Sequence, residues 1–524
     1  MSVTTLLPEA VRNARIQLRP GRAAAAAIIS AVVSLTIWYT YSAGRTGRGV
    51  PMQLFETIIQ LQVFVLLIGG GIYELLSVHR EKELNTFDYQ RVTRLTALEL
   101  ATGKLLGAPI LMYFIVFCLM PVAVTGAFLG QVPGSLVLED FVILFLGCLA
   151  YHALALLFST TLGRGVSAIA ILPFLILVGF TSGDYARSQG SNWMLHQLSP
   201  FAAGSMADFD VSRGLLDTFF GHQLPHFYVL LVIFVTLTAW FLLAIVRNLK
   251  RDPALYEIYS PLQAFGFVMY LELIVLGFFN WKSPNGQPIF EGQNFKGFAV
   301  LAPLDIEREL LFASFWLFAL LGLVLLRNRE HVRRRIQALG DGAASLWASV
   351  WPAPYVLAGV IVAGIALLDL IEGYRSPASE EWNWPLAIFI LAFCALWLIR
   401  DVLYLQWMGL RRTRRPLVSA FLYLAVYYVC TSIVFGVTNL SQRPASAPYT
   451  AVFIPSSAFA LNAASWASFE HEWLIALAVV GVEALVFAFL QRQKLREFLS
   501  VASSEPEAPP TAPASTVSAG NLPS

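Results

Sequence analysis

Charged residues are scarce in this chain. Only 13% of its 524 residues are charged, whereas 57% are hydrophobic, and the mean hydropathy is +0.66. This leaves too little charge to cover the surface of a soluble globule of this length. The composition therefore excludes an ordinary soluble protein and predicts an all-α integral membrane protein embedded in the lipid bilayer.

Cysteines and nucleotide-binding motifs are also rare. All four cysteines fall within long apolar runs, which argues against a disulfide framework. The nearest match to a phosphate-binding loop, Thr102-Gly103-Lys104, lacks the earlier glycine and is followed by Leu105 instead of serine or threonine. If the protein uses ATP, we expect its ATPase to be a separate polypeptide. The net charge of +2 gives no indication of a nucleic-acid partner.

Apolar runs of about 20 residues, long enough to cross a bilayer core of ~30 Å, recur along the whole chain. We predict about twelve transmembrane helices, at residues 22–43, 53–77, 104–128, 136–159, 165–183, 226–246, 260–281, 309–326, 352–371, 384–407, 417–438 and 472–490. Lysine and arginine precede the first span and follow every even-numbered span. The positive-inside rule therefore predicts that both termini are cytoplasmic.

The spans can be divided into two six-helix halves, 22–250 and 251–491. A cytoplasmic segment, 1–21, precedes them. The last segment, 492–524, is predicted to be a cytoplasmic tail, disordered because proline, alanine and serine dominate its end. The second half is either a degenerate repeat of the first or an unrelated set of spans. Its charge clusters near 327–338 and 399–415 fit both a degenerate coupling element and ordinary positive-inside charge.

One charged segment, residues 78–107, interrupts the apolar sequence between the second and third spans. Acidic and basic residues alternate along it. We predict a cytoplasmic helix over 78–103 that turns polar groups toward a soluble partner and places Leu84 and Phe87 against the membrane-embedded part. A juxtamembrane helix that binds anionic lipid headgroups is the alternative, and the alternation of signs disfavours it.

The residue order of this segment resembles that of permease subunits of type-2 ATP-binding-cassette (ABC) exporters. There the second span is followed by Gly-Thr-Leu-Glu or -Asp, a Thr-Pro-Leu-Ser turn, Glu-Leu and Gly-Lys. The order here is Thr86-Phe87-Asp88, Leu95-Thr96, Glu99-Leu100 and Gly103-Lys104. This chain has Asn85 at the usual glycine and Arg94 at the usual proline. Asparagine can adopt the left-handed conformation of that glycine, whereas Arg94 leaves the second turn less fixed.

The resemblance extends over residues 1–250, because Leu198-Ser199-Pro200-Phe201 and the stretch to Phe220 are similar to the extracytosolic hairpin before the last span of those permeases. It implies a multi-pass permease subunit in a bacterial or archaeal cytoplasmic (inner) membrane. It also implies export of a hydrophobic or amphipathic substrate.

The resemblance further implies a partner, an ABC ATPase subunit expected in two copies, and leaves a second permease copy as an option. This chain would bind no cofactor itself, since ATP-Mg would act through the partner ATPase. The residues that the resemblance assigns to coupling with the ATPase are Arg80, Glu81, Glu83, Thr86, Asp88, Arg91, Glu99 and Lys104.

Carboxylates within predicted spans are further candidates, because an ionisable group in a membrane is costly unless it is paired or hydrated. Glu272 and Glu483 lie deepest. They either line a substrate path or form helix–helix hydrogen bonds, and both interpretations stay open. If they carry the coupling, the protein is instead a secondary transporter that needs no ATPase.

Three smaller features remain. The glycines 69–71 in the second span predict close helix approach or a kink. His152, in the fourth span, is predicted to serve packing. The acidic loop 183–225, with Asp208, leaves a polytopic lipid or glycan transferase as a weaker alternative. We nevertheless predict no catalytic residue and no metal site.

Overall fold

A computed structural model describes residues 8–44, 50–84, 87, 94–161, 216–219, 222–250, 257–278, 317–322, 324–326, 329, 332, 364, 384–411, 419–420, 422–424, 426–430, 433 and 470–504. These residues are almost entirely helical. Contacts within the chain group it into two compact units, residues 1–317 and 318–524.

Helices account for nearly all of the described part of the first unit. In chain order these are α1 (Pro8–Gln17), α2 (Pro20–Gly44), α3 (Val50–Phe64), a π-helix (Val65–Gly70), α4 (Gly71–Glu83), α5 (Ala97–Gly107), α6 (Ile110–Leu129), α7 (Gly134–Thr161), α8 (His226–Leu249) and α9 (Pro261–Phe278). An antiparallel hairpin of β1 (Leu216–Phe219) and β2 (His222–Pro225) leads into α8. The core lies between α3, α6, α7 and α8, where Phe55, Ile58, Val116, Leu144 and Phe234 are fully buried.

Six helices in the described ranges are long and apolar enough to cross a membrane. They are Pro20–Ser42, Val50–Lys82, Ile110–Leu129, Gly134–Thr161, Phe227–Leu249 and Trp473–Glu497. Each overlaps a predicted span, although the third begins at Ile110 and not at residue 104, because α5 ends at Gly107. The prediction of a helical, multi-pass, membrane-type protein is confirmed in this coarse form.

The remaining predicted spans fall into two groups. Helices cover 260–281 and 384–407 in large part. The predicted spans 165–183, 309–326, 352–371 and 417–438 lie wholly or in large part outside the described residues. The total of twelve spans and the cytoplasmic position of both termini therefore stay predictions.

The charged segment 78–103 is not the single helix that was predicted. α4 ends at Glu83, Leu84 forms a turn, and residues 94–96 are not helical. The physical reason for the second boundary is a capping box at the start of α5. The Thr96 hydroxyl oxygen accepts from the Glu99 backbone N–H at 3.2 Å, and the Glu99 carboxylate accepts from the Thr96 N–H at 2.7 Å.

Hydrogen bonds and an ion pair link the end of α8 to residues 257–259, just before α9, at the predicted boundary between the two halves. Arg247 pairs with Glu257 at 2.7 Å, and the Asn248 side chain donates to the Glu257 carbonyl at 2.7 Å. The Tyr259 hydroxyl donates to the carbonyl of Trp240 at 2.8 Å. Both helices lie in the first compact unit, so the predicted halves 22–250 and 251–491 do not coincide with the units and stay a prediction.

The second unit contains α10 (Trp384–Gly409) and α11 (Glu470–Ser504). Phe389 contacts Trp473, with ring centroids 5.8 Å apart, and further along Tyr404 contacts Phe487 at 5.4 Å. Because these contacts advance in the same direction on both helices, α10 and α11 run parallel. Their contact brings Arg400 to Glu483, 83 residues apart in sequence.

Candidate functional site

The second span contains a π-helix that is fixed by a histidine from α7. The Leu66 carbonyl in the π-helix accepts a hydrogen bond from His152 Nε2 at 2.8 Å, and the Tyr113 hydroxyl lies 3.1 Å from His152 Nδ1. Because a carbonyl only accepts, Nε2 carries a proton, and in the neutral ring Nδ1 accepts from Tyr113. A side chain of a neighbouring helix thus donates to a carbonyl of the wide turn.

Two glycines make this contact sterically possible. A Cβ atom at Gly70 would lie 2.3 Å from His152 Nε2, and one at Gly69 would lie 2.6 Å from Met112 Sδ. The prediction that this glycine run allows close helix approach is confirmed. His152 serves packing here, as predicted, and it also stabilises the π-helix.

The charged end of the second span is attached to α7. The Val78 backbone N–H donates to Ser159 Oγ at 3.2 Å, and the Lys82 ammonium group donates to the Thr160 carbonyl at 3.0 Å. Phe87 is buried, as predicted, and Lys82 lies 5.5 Å from the centre of its ring. A displacement of the end of α4 would therefore act directly on the end of α7 that is predicted to be cytoplasmic.

An ionic cluster joins three helices beside this attachment, and of its four side chains only that of Arg12 is exposed. Lys104 of α5 pairs with Glu81 of α4 and lies 3.7 Å from Glu9 of α1. Arg12 of α1 contacts Glu9 at 2.6 Å and Glu81 at 3.0 Å. The Lys104 side chain is only 1% exposed, and the carboxylates of Glu9 and Glu81 compensate its charge. We call Glu9, Arg12, Glu81 and Lys104 the ionic cluster.

Small residues bring α1 and α5 together around this cluster. A Cβ at Gly103 would lie 2.8 Å from Glu9 Cβ, and one at Gly107 would lie 2.8 Å from Ala10 Cα. Gln17 donates to the carbonyl of Ala108 at 2.8 Å, at the far end of α1. Residues 1–21 were predicted only as a cytoplasmic segment, and the helix α1 was not predicted.

The predicted coupling residues occupy different environments. Arg80 is exposed on α4, while Glu81 and Lys104 belong to the ionic cluster. Glu99 caps α5, and the hydrogen bond from the Thr96 backbone N–H, together with that from its hydroxyl, lowers the pKa of the Glu99 carboxyl. Leu84 is 65% exposed, contrary to its predicted position against the scaffold.

The other predicted coupling residues cannot be placed in the same way. Glu83 lies in the last turn of α4, and its side chain falls outside the described residues. Thr86, Asp88 and Arg91 lie outside the described residues altogether. Contact of any of these eight residues with an ATPase stays a prediction.

A further carboxylate, Glu74, lies on α4 two turns before Glu81. It is fully buried, and neither of its carboxyl oxygens has a hydrogen-bond partner within the described part of the chain. Glu74 was not among the residues predicted to form a site. Its position within a predicted span was the signal that could have singled it out.

The two predicted substrate-path carboxylates lie in separate units. Glu272 is buried in α9, 3% exposed. Glu483 of α11 pairs with Arg400 of α10 at 2.8 Å, so it makes the helix–helix contact that was the structural alternative. No group of three or more metal-ligating side chains occurs among the residues that the structure covers.

No family model, no curated protein and no solved structure matches this chain.

Proposed function

We propose that this protein is the membrane-spanning permease subunit of an ABC exporter, driven by a separate ATPase that engages the segment 78–107. The observation that supports the proposal most is the ionic cluster together with the links from α4 to α7. They join a charged segment to the second and fourth spans through direct bonds. A charged segment that is simply solvated would not need such buried attachment to neighbouring helices.

The mechanism follows from these attachments. Closure of the ATPase pair would displace the charged segment, and the ionic cluster would make α1, α4 and α5 move as one body. Val78 and Lys82 would transmit the displacement to α7. The π-helix, where the regular bonding pattern of the second span is widened, is the natural place for that span to bend.

A secondary transporter is the second candidate, and one observation favours it. The buried carboxyl group of Glu74 has no hydrogen-bond partner in the described ranges, which is typical of groups that exchange protons or ions within a membrane. Such a transporter would keep its activity when no ATPase is present, whereas an ABC permease would lose it.

Co-purification tests the proposal. The tagged full-length chain is isolated in mild detergent from the membranes of the organism that makes it, and bound proteins are searched for an ABC ATPase by mass spectrometry. We expect that ATPase in the purified complex. We also expect that Arg80→Glu, a charge reversal at an exposed position of α4, lowers the amount bound severalfold.

The matched control is Arg496→Glu, which reverses an equally exposed charge on α11 in the other compact unit. It should leave the bound ATPase unchanged. Absence of any ABC ATPase, or equal amounts with both variants, would contradict the proposal.

A further inference from the structure

A second ionic cluster lies between α10 and α11. The Arg400 guanidinium group donates to Glu483 Oε2 at 2.8 Å and lies 2.9 Å from Asp401 Oδ1. The Tyr428 hydroxyl donates to the other oxygen of Asp401. Arg400 itself is 4% exposed. Two carboxylates and one guanidinium group are therefore gathered at one place in the bundle.

Aromatic rings complete the surroundings of the guanidinium group. Arg400 Cζ lies 3.8 Å from the centre of the Trp397 ring and 6.0 Å from that of Tyr427. Tyr428 stacks on Trp397 with centroids 5.3 Å apart. Aromatic faces and carboxylates around a cation form the arrangement by which proteins recognise organic cations. Here the chain's own arginine occupies it.

The charges of this cluster do not balance. Arg400 supplies one positive charge, whereas Asp401 and Glu483 supply two negative charges, and neither carboxylate contacts another cation in the described part of the chain. An uncompensated charge among apolar helices is unfavourable, so one more cation or a proton is needed. The Trp397 indole N–H, 1% exposed, also has no acceptor among the described residues.

Access to the cluster determines which cation fits. The Glu483 side chain is 34% exposed, unlike that of Arg400. Its neighbours on the accessible face of α11 are apolar and more exposed, namely Val482 at 59%, Leu485 at 71%, Val486 at 49% and Phe489 at 68%. A ligand that reaches Glu483 along this face meets apolar surface first and the carboxylate second. It must therefore combine an apolar body with a positive charge.

We propose that Trp397, Arg400, Asp401, Tyr427, Tyr428 and Glu483 form a binding site for a lipophilic monovalent organic cation, with Glu483 as its counter-charge. The exposed apolar side chains of α11 provide contact surface for the apolar body of the ligand, whereas the buried Trp397 ring holds the Arg400 guanidinium group in position. Arg400 holds both carboxylates in place and balances one of them. This site goes beyond the proposed transport function, because binding to it needs neither an ATPase nor ATP.

Equilibrium binding to the purified full-length chain tests the site. The probe is tetraphenylphosphonium, a lipophilic cation, and the comparison ligand is tetraphenylborate, which has nearly the same shape and the opposite charge. We expect saturable binding of the cation and none of the anion. Glu483→Gln should weaken cation binding at least about tenfold, because it removes the counter-charge without changing the size of the side chain.

Glu497→Gln is the matched control, since Glu497 lies on the same helix, is 53% exposed and pairs with Lys494. It should bind tetraphenylphosphonium as the unaltered chain does. Glu483→Asp, which keeps the charge, should retain most of the affinity. If Glu483→Gln does not fold, the cation–anion comparison on the unaltered chain still decides. Equal binding of both ions, no binding of the cation, or unchanged affinity in folded Glu483→Gln would overturn the proposal.

Discussion

The ammonium group of Lys104 is paired with the carboxylate of Glu81 in a site where the two side chains are only 1% and 13% exposed. The two residues lie 23 positions apart, one near the end of α4 and the other on α5. The pair therefore links the end of α4 to α5. The position of that segment depends on an interaction that is largely shielded from water and from salt.

Replacement of Lys104 by methionine should destabilise the protein strongly. The methionine fills similar space but leaves Glu9 and Glu81 with Arg12 as their remaining cation in the cluster. Breaking a buried ion pair on one side costs about 3–5 kcal/mol, and the thermal midpoint in detergent should fall accordingly. The control is Lys494→Met, which removes an exposed pair with Glu497 and should cost about 0–1 kcal/mol. Similar midpoints for the two variants would contradict a structural role for the cluster.

Gly70→Ala should disturb the π-helix. The added methyl group would lie 2.3 Å from His152 Nε2, so either the ring or the helix must move and the bond to Leu66 is lost. Overpacking of this kind costs about 1–3 kcal/mol, to be measured as a lower thermal midpoint. Gly71→Ala is the neighbouring control, because a Cβ there meets nothing within 4 Å. It should be neutral or stabilising by up to about 1 kcal/mol. A Gly70→Ala variant as stable as Gly71→Ala would show that the close approach is absent.

Thr96→Ala should weaken the start of α5. It removes the hydroxyl oxygen that accepts from the Glu99 backbone N–H, and loss of such a cap costs about 1 kcal/mol. Thr102→Ala is a suitable control, since the Thr102 hydroxyl donates to the carbonyls of Leu98 and Glu99 within the same helix and caps no helix end. It should change the thermal midpoint less. Hydrogen exchange at the first turn of α5 measures the effect locally, and equal exchange in the two variants would contradict the capping box.

The stabilising effect of Glu99 should depend on pH. The hydrogen bond from the Thr96 backbone N–H lowers the pKa of Glu99 in the folded protein. A group whose pKa is lowered by folding stabilises the fold above its unfolded pKa, and that contribution disappears as the pH falls through the folded pKa. The difference in thermal midpoint between the unaltered protein and Glu99→Gln should be largest at neutral pH and vanish in acid. A difference that stays constant with pH would disagree with this origin.

Much of the fold was predictable because membrane-spanning helices are specified by composition over long stretches. The apolar runs at 53–77 and 136–159 were sufficient to place the second and fourth spans within a few residues. The start of α5 could also have been predicted from the sequence. Thr96 and Glu99 have the spacing of a capping box, although Glu99 was predicted to take part in coupling with the ATPase. Pro8 and Glu9 at the start of α1, with Arg15 near its end, were comparable signals.

The pairings within the candidate site could not be predicted. Lys104 contacts Glu9 and Glu81 because of how three helices are rotated and how closely they approach. A pattern of charges in the sequence does not specify that arrangement. The π-helix is equally hidden, since the apolar sequence before Gly70 suits an α-helix as well. Glu483 could be predicted as important but not as the partner of Arg400.

Photo-crosslinking from position 80 tests the central claim most directly. A benzophenone amino acid replaces Arg80, which is exposed at the end of α4, and a parallel variant carries it in place of Tyr39, 71% exposed on α2. After illumination of intact membranes, we predict that position 80 yields an adduct with an ABC ATPase and that position 39 does not. Adducts with lipid alone at position 80, or the same products from both positions, would contradict the claim that this segment engages an ATPase.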